Sequence, residues 1–273
     1  MIGNQERFST LPIRHDLSPI VFPSLAIAIL IAIASVAGIV YRNIVYPTDE
    51  LRRAFVSNDV VDLFLGMPLL LVSIRLAERG RMIGLLCWLG ALFFVLYNYL
   101  VYVFAMPFNV AFFLHLALVS LSLYALISLL AGIDANAVRQ RLTGSVHERT
   151  YGGILAGLEL LFLLRAIGVL VHGLTTQALI ARTELAVNIA DILIIPSWII
   201  GGVFLWQRKE LGYVAGLGLL FQASMLFVGL IAFLLLQPFL TDANFKLTDV
   251  VAVSAMGLIC FIPVARLLRG IRT

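Results

Sequence analysis

The feature that most constrains this chain is a series of eight apolar stretches, each long enough to cross a bilayer. A hydrocarbon core of about 30 Å needs about 20 apolar residues in a helix. The stretches run over residues 20–41, 59–77, 82–105, 110–132, 152–173, 187–206, 211–236 and 250–268. Lipid offers no partner for a bare backbone N–H or C=O, so each stretch must be helical. The sequence therefore predicts an all-α membrane protein with eight transmembrane helices.

The composition agrees with a bilayer as the solvent of this chain. Hydrophobic residues make up 62% of it and charged residues only 12%, about half the roughly 25% of a soluble domain. The net charge of +4 is typical of basic cytoplasmic loops. A nucleic-acid partner is not expected, because no basic patch has interleaved aromatic residues. The expected partner is the lipid bilayer.

No sequence motif indicates a cofactor, a metal site or a catalytic centre. Cys87 and Cys260 both lie in apolar runs, so they form neither a disulfide framework nor a zinc cluster. The chain contains no P-loop, dinucleotide fingerprint, zinc-protease motif or nucleophile elbow. The sequence therefore leaves the cofactor, the substrate and the oligomeric state open.

The distribution of basic residues predicts that both ends of the chain are cytoplasmic. With the N-terminus inside, thirteen of the nineteen Lys and Arg residues fall in inner segments, five fall in outer segments, and Arg165 lies inside a helix. Cytoplasmic loops carry such an excess. We expect a multi-pass protein of the cell membrane. Its first helix is expected to be retained as a signal anchor, because its apolar run is too long for a cleaved signal.

Polar and small residues recur in one register, which predicts an internal duplication. The matched pairs are separated by 128 or 129 positions: Asp62/Asp191, Pro68/Pro196, Arg79/Arg208, Gly84/Gly212, Gly90/Gly218 and Phe93/Phe221. The predicted organisation is a cytoplasmic segment 1–19, a four-helix repeat 20–132, a cytoplasmic linker 133–151, a second four-helix repeat 152–268 and a cytoplasmic tail 269–273. Four helices per half is an even number, so the two repeats would run parallel.

Polar side chains inside the apolar stretches are the candidate functional residues. An ionisable group near mid-bilayer costs about 2.5–3.5 kcal/mol and therefore faces protein or water. The candidates for binding a substrate or an ion are Asp62, Asp191, Arg165, Asp59, His115, Asn98 and Glu159. They map mainly to the outer half of the bundle, so any site is expected to open outward.

The charged candidates each have a structural and a functional interpretation. Arg165 lies roughly 20 Å into its span, where it forms an interhelical ion pair or binds a substrate. Glu159 points about 120° away from it, so the two are expected to have partners on other helices. Asp59 can complement a helix N-terminus. Asp62 and Asp191, as repeat counterparts, could converge on one cavity.

Uncharged candidates favour structural interpretations. His115 is expected to be a neutral histidine bonded to a neighbouring helix. Asn98 needs a hydrogen-bond partner if it faces the bundle. The nearby tyrosines, including Tyr97 and Tyr102, are typical of an aromatic belt at the outer interface.

Three functions are compatible with these residues. The leading hypothesis is a small secondary transporter or solute-binding membrane protein with an outward-facing polar cavity. The second is a membrane-embedded enzyme acting on a lipid, quinone or isoprenoid, with Asp62, His115 and Asp191 as acid–base or metal groups. The third is a structural or accessory subunit, in which the polar groups join helices and no water-accessible cavity exists.

Overall fold

Eight apolar helices make up most of the molecule. The computed structural model describes residues 8, 10–177 and 179–270 of the 273-residue chain. The helices are α1 (Ser18–Val40), α2 (Asp49–Glu78), α3 (Met82–Ala105), α4 (Val110–Gly132), α5 (Glu148–Thr176), α6 (Arg182–Trp206), α7 (Gly212–Leu240) and α8 (Leu247–Gly270). Each is long and apolar enough to cross a membrane. The described ranges contain no β-strand, so the prediction of an all-α chain with eight such helices is confirmed.

Polar caps set several helix boundaries that hydropathy does not detect. The Thr48 hydroxyl accepts a hydrogen bond from Leu51 N at 3.3 Å and so begins α2. The Asn109 side chain caps α4 in the same way. Such side-chain acceptors satisfy N–H groups that the first helical turn leaves free. Asp134 caps a short helix, Ala135–Leu142, that follows α4.

The structure corrects three helix starts that the sequence predicts and adds one short helix. α2 begins at Asp49 rather than at residue 59, and α6 begins at Arg182 rather than at residue 187. The predicted linker 133–151 contains the short helix Ala135–Leu142 and the first turn of α5. Hydropathy detects the apolar part of a helix, so it misses polar turns that continue beyond it. Of the predicted end segments, residues 1–7, 9 and 271–273 lie outside the described residues.

The connections between helices collect at two opposite ends of the bundle. The linker end comprises residues 10–17, 79–81, 133–147 and 207–211. There the Thr10 hydroxyl donates to the Gly80 carbonyl at 3.3 Å, and Arg141 Nη1 donates to the Thr10 carbonyl at 3.0 Å. The Thr48 end comprises residues 41–48, 106–109, 179–181 and 241–246. There Glu50 Oε1 accepts from both N and Oγ1 of Thr183, each at 2.8 Å.

α3 is the central helix of the bundle. In its most apolar 18 residues 78% are buried, against 44% or less in every other spanning helix. It packs against α2, α4, α6 and α7. Where α3 crosses α7, a Cβ added to Gly90 would lie 2.4 Å from the Gly218 carbonyl oxygen. Glycine at this crossing therefore allows the two backbones to approach closely.

α2 changes its helical register at the level of its second aspartate. A π-helical turn covers Asp62–Gly66, and the N–H of Met67 donates to the carbonyl of Asp62, five residues back. Pro68, which has no N–H to donate, follows at once. Single π-turns inside helices often accompany functional sites. In α6, Pro196 lies within a helix that continues past it.

Candidate functional site

A largely apolar cavity of about 670 Å³ lies between the two halves of the chain. Its 25 lining residues come from α2, α3, α5, α6, α7 and α8. The eight polar ones are Asn58, Tyr97, Asn98, Glu159, Arg165, Thr183, Glu184 and Asp191. Along α6 the lining extends from Thr183, at the Thr48 end, to Trp198, one turn beyond the middle of the helix. The cavity therefore occupies the half of the bundle that is nearer the Thr48 end.

Arg165 of α5 and Asp191 of α6 meet on the cavity wall. Arg165 Nη1 lies 3.9 Å from Asp191 Oδ2. The Tyr97 hydroxyl of α3 donates to the other carboxylate oxygen, Oδ1, at 2.8 Å. The Asp191 side chain is 12% exposed and the Arg165 side chain is 50% exposed. Asp191 is thus held by two neighbouring helices, while the guanidinium keeps donors that face the cavity.

Glu159 is the least satisfied charged group on the cavity wall. Its side chain is only 6% exposed. Among the residues that the structure describes, its carboxyl group has no hydrogen-bond or ion-pair partner. Arg165, six residues further along α5, contacts Asp191 instead. A buried carboxylate without a partner is costly, so a donor or cation inside the cavity would be stabilised here.

A second, smaller cavity of about 440 Å³ adjoins the first. It lies between α5 and the start of α6, and its lining includes Val169, His172 and Leu179. Arg165 and Glu184 line both cavities. The polar wall of the main cavity therefore continues along α5 toward the C-terminal end of that helix.

Two buried aspartates form a separate polar group in the first half of the chain. Asp59 is 1% exposed and Asp62 is 2% exposed. Asp59 Oδ2 accepts from the Tyr46 hydroxyl at 2.6 Å, and Oδ1 accepts from the Tyr102 hydroxyl at 2.8 Å. Both oxygens of Asp62 accept from Asn98 Nδ2, at 2.6 and 2.7 Å. We call Tyr46, Asp59, Asp62, Asn98 and Tyr102 the acid cluster.

Two amide side chains connect the acid cluster to the cavity. Asn58 Nδ2 donates to Asn98 Oδ1 and to the Tyr102 hydroxyl, each at 3.1 Å. Both Asn58 and Asn98 also line the cavity. On α3, the neighbouring residues Tyr97 and Asn98 bind Asp191 and Asp62 respectively. One turn of the central helix therefore contacts an aspartate from each half of the chain.

His115 of α4 lies beside the acid cluster and is 1% exposed. Its ring packs against Tyr102 and Tyr99, with centroid distances of 4.8 and 5.7 Å. Its Nδ1 has no hydrogen-bond partner in the described part of the chain.

Tyr46 lies in the connection between the first two apolar helices. Its burial is the main cause that raises the pKa of its phenol well above the usual value, and the negative charge of the nearby Asp59 carboxylate is the second cause.

The structure divides the seven candidate residues between two places. Asp191, Arg165, Glu159 and Asn98 line the cavity, whereas Asp59, Asp62 and His115 are buried outside its lining. Asp62 and Asp191 therefore do not converge on one cavity, as the sequence suggested they might. The reason is that the Asn98 amide, which lines the cavity, binds both carboxylate oxygens of Asp62.

The tyrosines of α3 are buried in the bundle, which corrects their interpretation as an aromatic belt. Tyr99 is 1% exposed and Tyr102 is 0% exposed, and Tyr97 donates to Asp191. Sequence reasoning missed them as partners of the acids. A signal was present, because three tyrosines lie within two turns of α3, and α3 is the next helix in the chain after the one that carries Asp59. Tyr46 gave no such signal, since it lies in a connection.

The eight apolar helices fit a multi-pass membrane protein, and their apolar surfaces are consistent with contact with a lipid bilayer. Comparison of the chain with protein-family models, with curated proteins and with solved structures finds no match. Across the described ranges, no group of three or more His, Cys, Asp or Glu side chains is placed to hold a metal ion. The function has therefore to be argued from the cavity itself.

Proposed function

We propose that this chain is a solute-binding membrane protein of the secondary-transporter type, whose cavity takes an amphipathic solute with a positively charged group. The observation that carries the proposal is the 670 Å³ cavity with the charged groups of α5 and α6 on its wall. Ligand pockets of about 300–1,000 Å³ hold small organic molecules and combine apolar walls with a few polar groups. Seventeen of the 25 lining residues here are apolar.

The charge of the lining favours a cation over an anion. Three carboxylates, those of Glu159, Glu184 and Asp191, face a single guanidinium, that of Arg165. Arg165 is already beside Asp191 and Glu184 is exposed, which leaves Glu159 as the buried carboxyl group with room for a ligand. An ammonium or similar group would supply the partner that Glu159 lacks. An anionic solute would meet three acidic side chains and a single guanidinium that already contacts one of them.

The other two hypotheses fit the geometry less well. An accessory subunit predicts dry contacts between polar groups, whereas the charged side chains of α5 and α6 border a cavity. The enzyme hypothesis needs Asp62, His115 and Asp191 in one place, but only Asp191 lines the cavity.

We further propose a tandem 4+4 parallel repeat, which would place the cavity between two equivalent halves. Its support is reciprocal packing: α2 packs on α7, and α6 packs on α3. The paired residues Gly90 and Gly218 also meet at the α3–α7 crossing. Parallel repeats related by an axis along the membrane normal occur in transporters.

We also propose that the linker end is cytoplasmic, so that the cavity opens toward the outside of the cell membrane. The basic residues of the predicted inner segments support this orientation. A reporter fused after Thr273 is expected to read out as cytoplasmic. A periplasmic or extracellular signal from that fusion would reverse the orientation of the cavity.

The test compares two probes of the same shape and opposite charge, tetraphenylphosphonium and tetraphenylborate, on the protein in lipid nanodiscs. We expect saturable binding of the phosphonium, measured by calorimetry. Glu159→Gln should weaken it by about tenfold, because the variant removes the carboxylate that attracts the cation in a site of low dielectric. The matched control is Glu210→Gln at the linker end, where Glu210 pairs with Arg139. This control should bind like the wild type.

Two results would overturn the proposal. Tighter binding of the borate than of the phosphonium, or equal binding by Glu159→Gln, would refute the cation site. Transport is tested separately in proteoliposomes, where the phosphonium should exchange across the membrane faster than in protein-free vesicles. Binding without exchange would refute the proposal of transport and leave only the proposal that the protein binds a solute.

A further inference from the structure

The acid cluster contains two carboxylates with no cation to balance them. Among the described residues, neither Asp59 nor Asp62 has an ion-pair partner. Of the two neighbouring arginines on this helix, Arg52 pairs with Asp49 and donates to the Tyr46 carbonyl, and Arg53 is exposed. Burying one unpaired carboxylate is costly, and burying two side by side is more so. We therefore expect the cluster to neutralise one of the two charges by binding a proton or a cation.

The two aspartates differ in their hydrogen bonds. Asp59 accepts an O–H bond on each oxygen, from Tyr46 and Tyr102. Two strong donors of this kind suit an ionised carboxylate. Asp62 accepts from the single Nδ2 atom of Asn98 on both oxygens, and the Tyr99 hydroxyl is a further neighbour. Its environment therefore leaves room for a proton on one oxygen.

Unpartnered oxygen atoms surround Asp62. Within the described part of the chain, the hydroxyls of Ser35 and Tyr99 are fully buried and have no hydrogen-bond partner. The Tyr99 hydroxyl is nevertheless close enough to Asp62 and to Ser35 to interact with both, without the alignment of a full hydrogen bond. A protonated Asp62 can donate to the Tyr99 oxygen, and an ionised Asp62 can accept from the Tyr99 hydroxyl. The contact can therefore be kept when Asp62 gains or loses a proton.

A glycine makes room for this arrangement on the neighbouring helix. A Cβ added to Gly38 of α1 would lie 1.9 Å from Asp59 Oδ2 and 2.5 Å from the Tyr46 hydroxyl. The carboxylate is therefore pressed against the backbone of α1, where water has no space. His115 faces the cluster from α4 and forms no ion pair with either aspartate in the described structure.

We propose that the acid cluster is a proton-binding site in which Asp59 is ionised, Asp62 carries an exchangeable proton, and Asn98 couples that proton to the occupant of the cavity. The coupling follows from position, because Asn98 binds Asp62 with its nitrogen and also lines the cavity. Only this coupling rests on the proposed function. In transport, loss of the proton would turn Asp62 into a stronger acceptor for the Asn98 amide and so change the cavity wall.

The first experiment compares two isosteric variants by thermal unfolding in nanodiscs. Asp62→Asn reproduces a neutral side chain and should melt within a degree or two of the wild type. Asp59→Asn removes the charged acceptor of two tyrosine hydroxyls and should melt well below it. A merely structural pair predicts no such asymmetry. The reverse order, or equal losses in both variants, would overturn the assignment.

The second experiment detects the proton directly and does not require the cavity to bind anything. Infrared difference spectra between acid and alkaline pH should contain the C=O band of a protonated carboxyl, and Asp62→Asn should lose it. Asp49→Asn, at an exposed position, is the matched control and should keep it. Retention of the band in Asp62→Asn would refute the proton site. Stabilisation by Na⁺ that disappears in Asp62→Asn would instead identify a sodium site and overturn the proton.

The coupling has its own readout. Adding tetraphenylphosphonium should shift the Asp62 band in the wild type but not in Asn98→Ala. If the phosphonium binds and the band does not move, the coupling is refuted while the proposed function stands. If the phosphonium does not bind, the proposed function fails, while the pH difference spectrum still decides the proton site.

Discussion

Replacing Gly90 by alanine is the sharpest test of how closely the two halves of the chain approach each other. Gly90 is on the central helix α3 and faces Gly218 of α7. α3 carries Tyr97 and Asn98, which bind Asp191 and Asp62. A methyl group at this crossing should therefore both destabilise the fold and displace the cavity wall.

The expected cost follows from the geometry. The new Cβ would lie 2.4 Å from the Gly218 carbonyl oxygen and 2.8 Å from a ring carbon of Phe221, whereas ordinary contact begins at 3.4 Å. The backbones must therefore separate by about 1 Å, and overpacking of this kind costs about 1–3 kcal/mol. Alanine also favours the helix over glycine by about 1 kcal/mol. Gly157→Ala gains that preference without a clash, because nothing lies within 4 Å of its added Cβ.

The comparison of these two alanine variants isolates the clash. Reversible unfolding in mixed micelles, followed by tryptophan fluorescence, should place Gly90→Ala about 1–3 kcal/mol below Gly157→Ala. That difference is about 5-fold to 150-fold in the unfolding equilibrium. Equal stability of the two variants would mean that α3 and α7 do not cross at Gly90 as described.

Two further predictions concern the buried phenol of Tyr46 and the buried thiols of Cys87 and Cys260. Tyr46→Phe should lower stability at neutral pH by about 1.5–3 kcal/mol, because Asp59 loses a donor. The raised pKa of Tyr46 stabilises the fold below the ordinary tyrosine pKa, and this contribution is lost as pH rises above it. The variant should therefore show a smaller alkaline loss of stability than the wild type, and an equal loss would contradict the buried phenol. Cys87 and Cys260 are both buried, so maleimide should label neither in the folded protein and both after unfolding; rapid labelling of the native state would contradict their burial.

The sequence was sufficient for the number and class of the helices, because hydrophobic length is a direct physical requirement of the bilayer. It was insufficient for their ends. The polar run from Asp49 to Asn58 is helical through its Thr48 cap and packing, and neither registers as hydrophobicity. The short helix Ala135–Leu142 was missed for the same reason.

The candidate site was predicted by residue type but not by partner. The free-energy cost of placing an ionisable side chain inside the bilayer was enough to select Arg165, Asp191 and Glu159 from the sequence. All three line the cavity. Pairing depends on how helices rotate and cross, which apolar sequence does not specify. Tyr97 therefore resembled an interfacial residue until its contact with Asp191 was seen.

The dependence of the two aspartates on α3 has a consequence for how the protein is made. Asp59 and Asp62 emerge from the ribosome 43 and 36 residues before their donors Tyr102 and Asn98. Without α3, the second helix would enter hydrocarbon with Asp62 unsatisfied and Asp59 bonded only to Tyr46, and a charged carboxylate there costs about 2.5–3.5 kcal/mol. We therefore expect α2 and α3, which the turn at Gly80 joins, to leave the insertion machinery together. They would enter the bilayer as a hairpin in which the hydrogen bonds between the two helices have already formed.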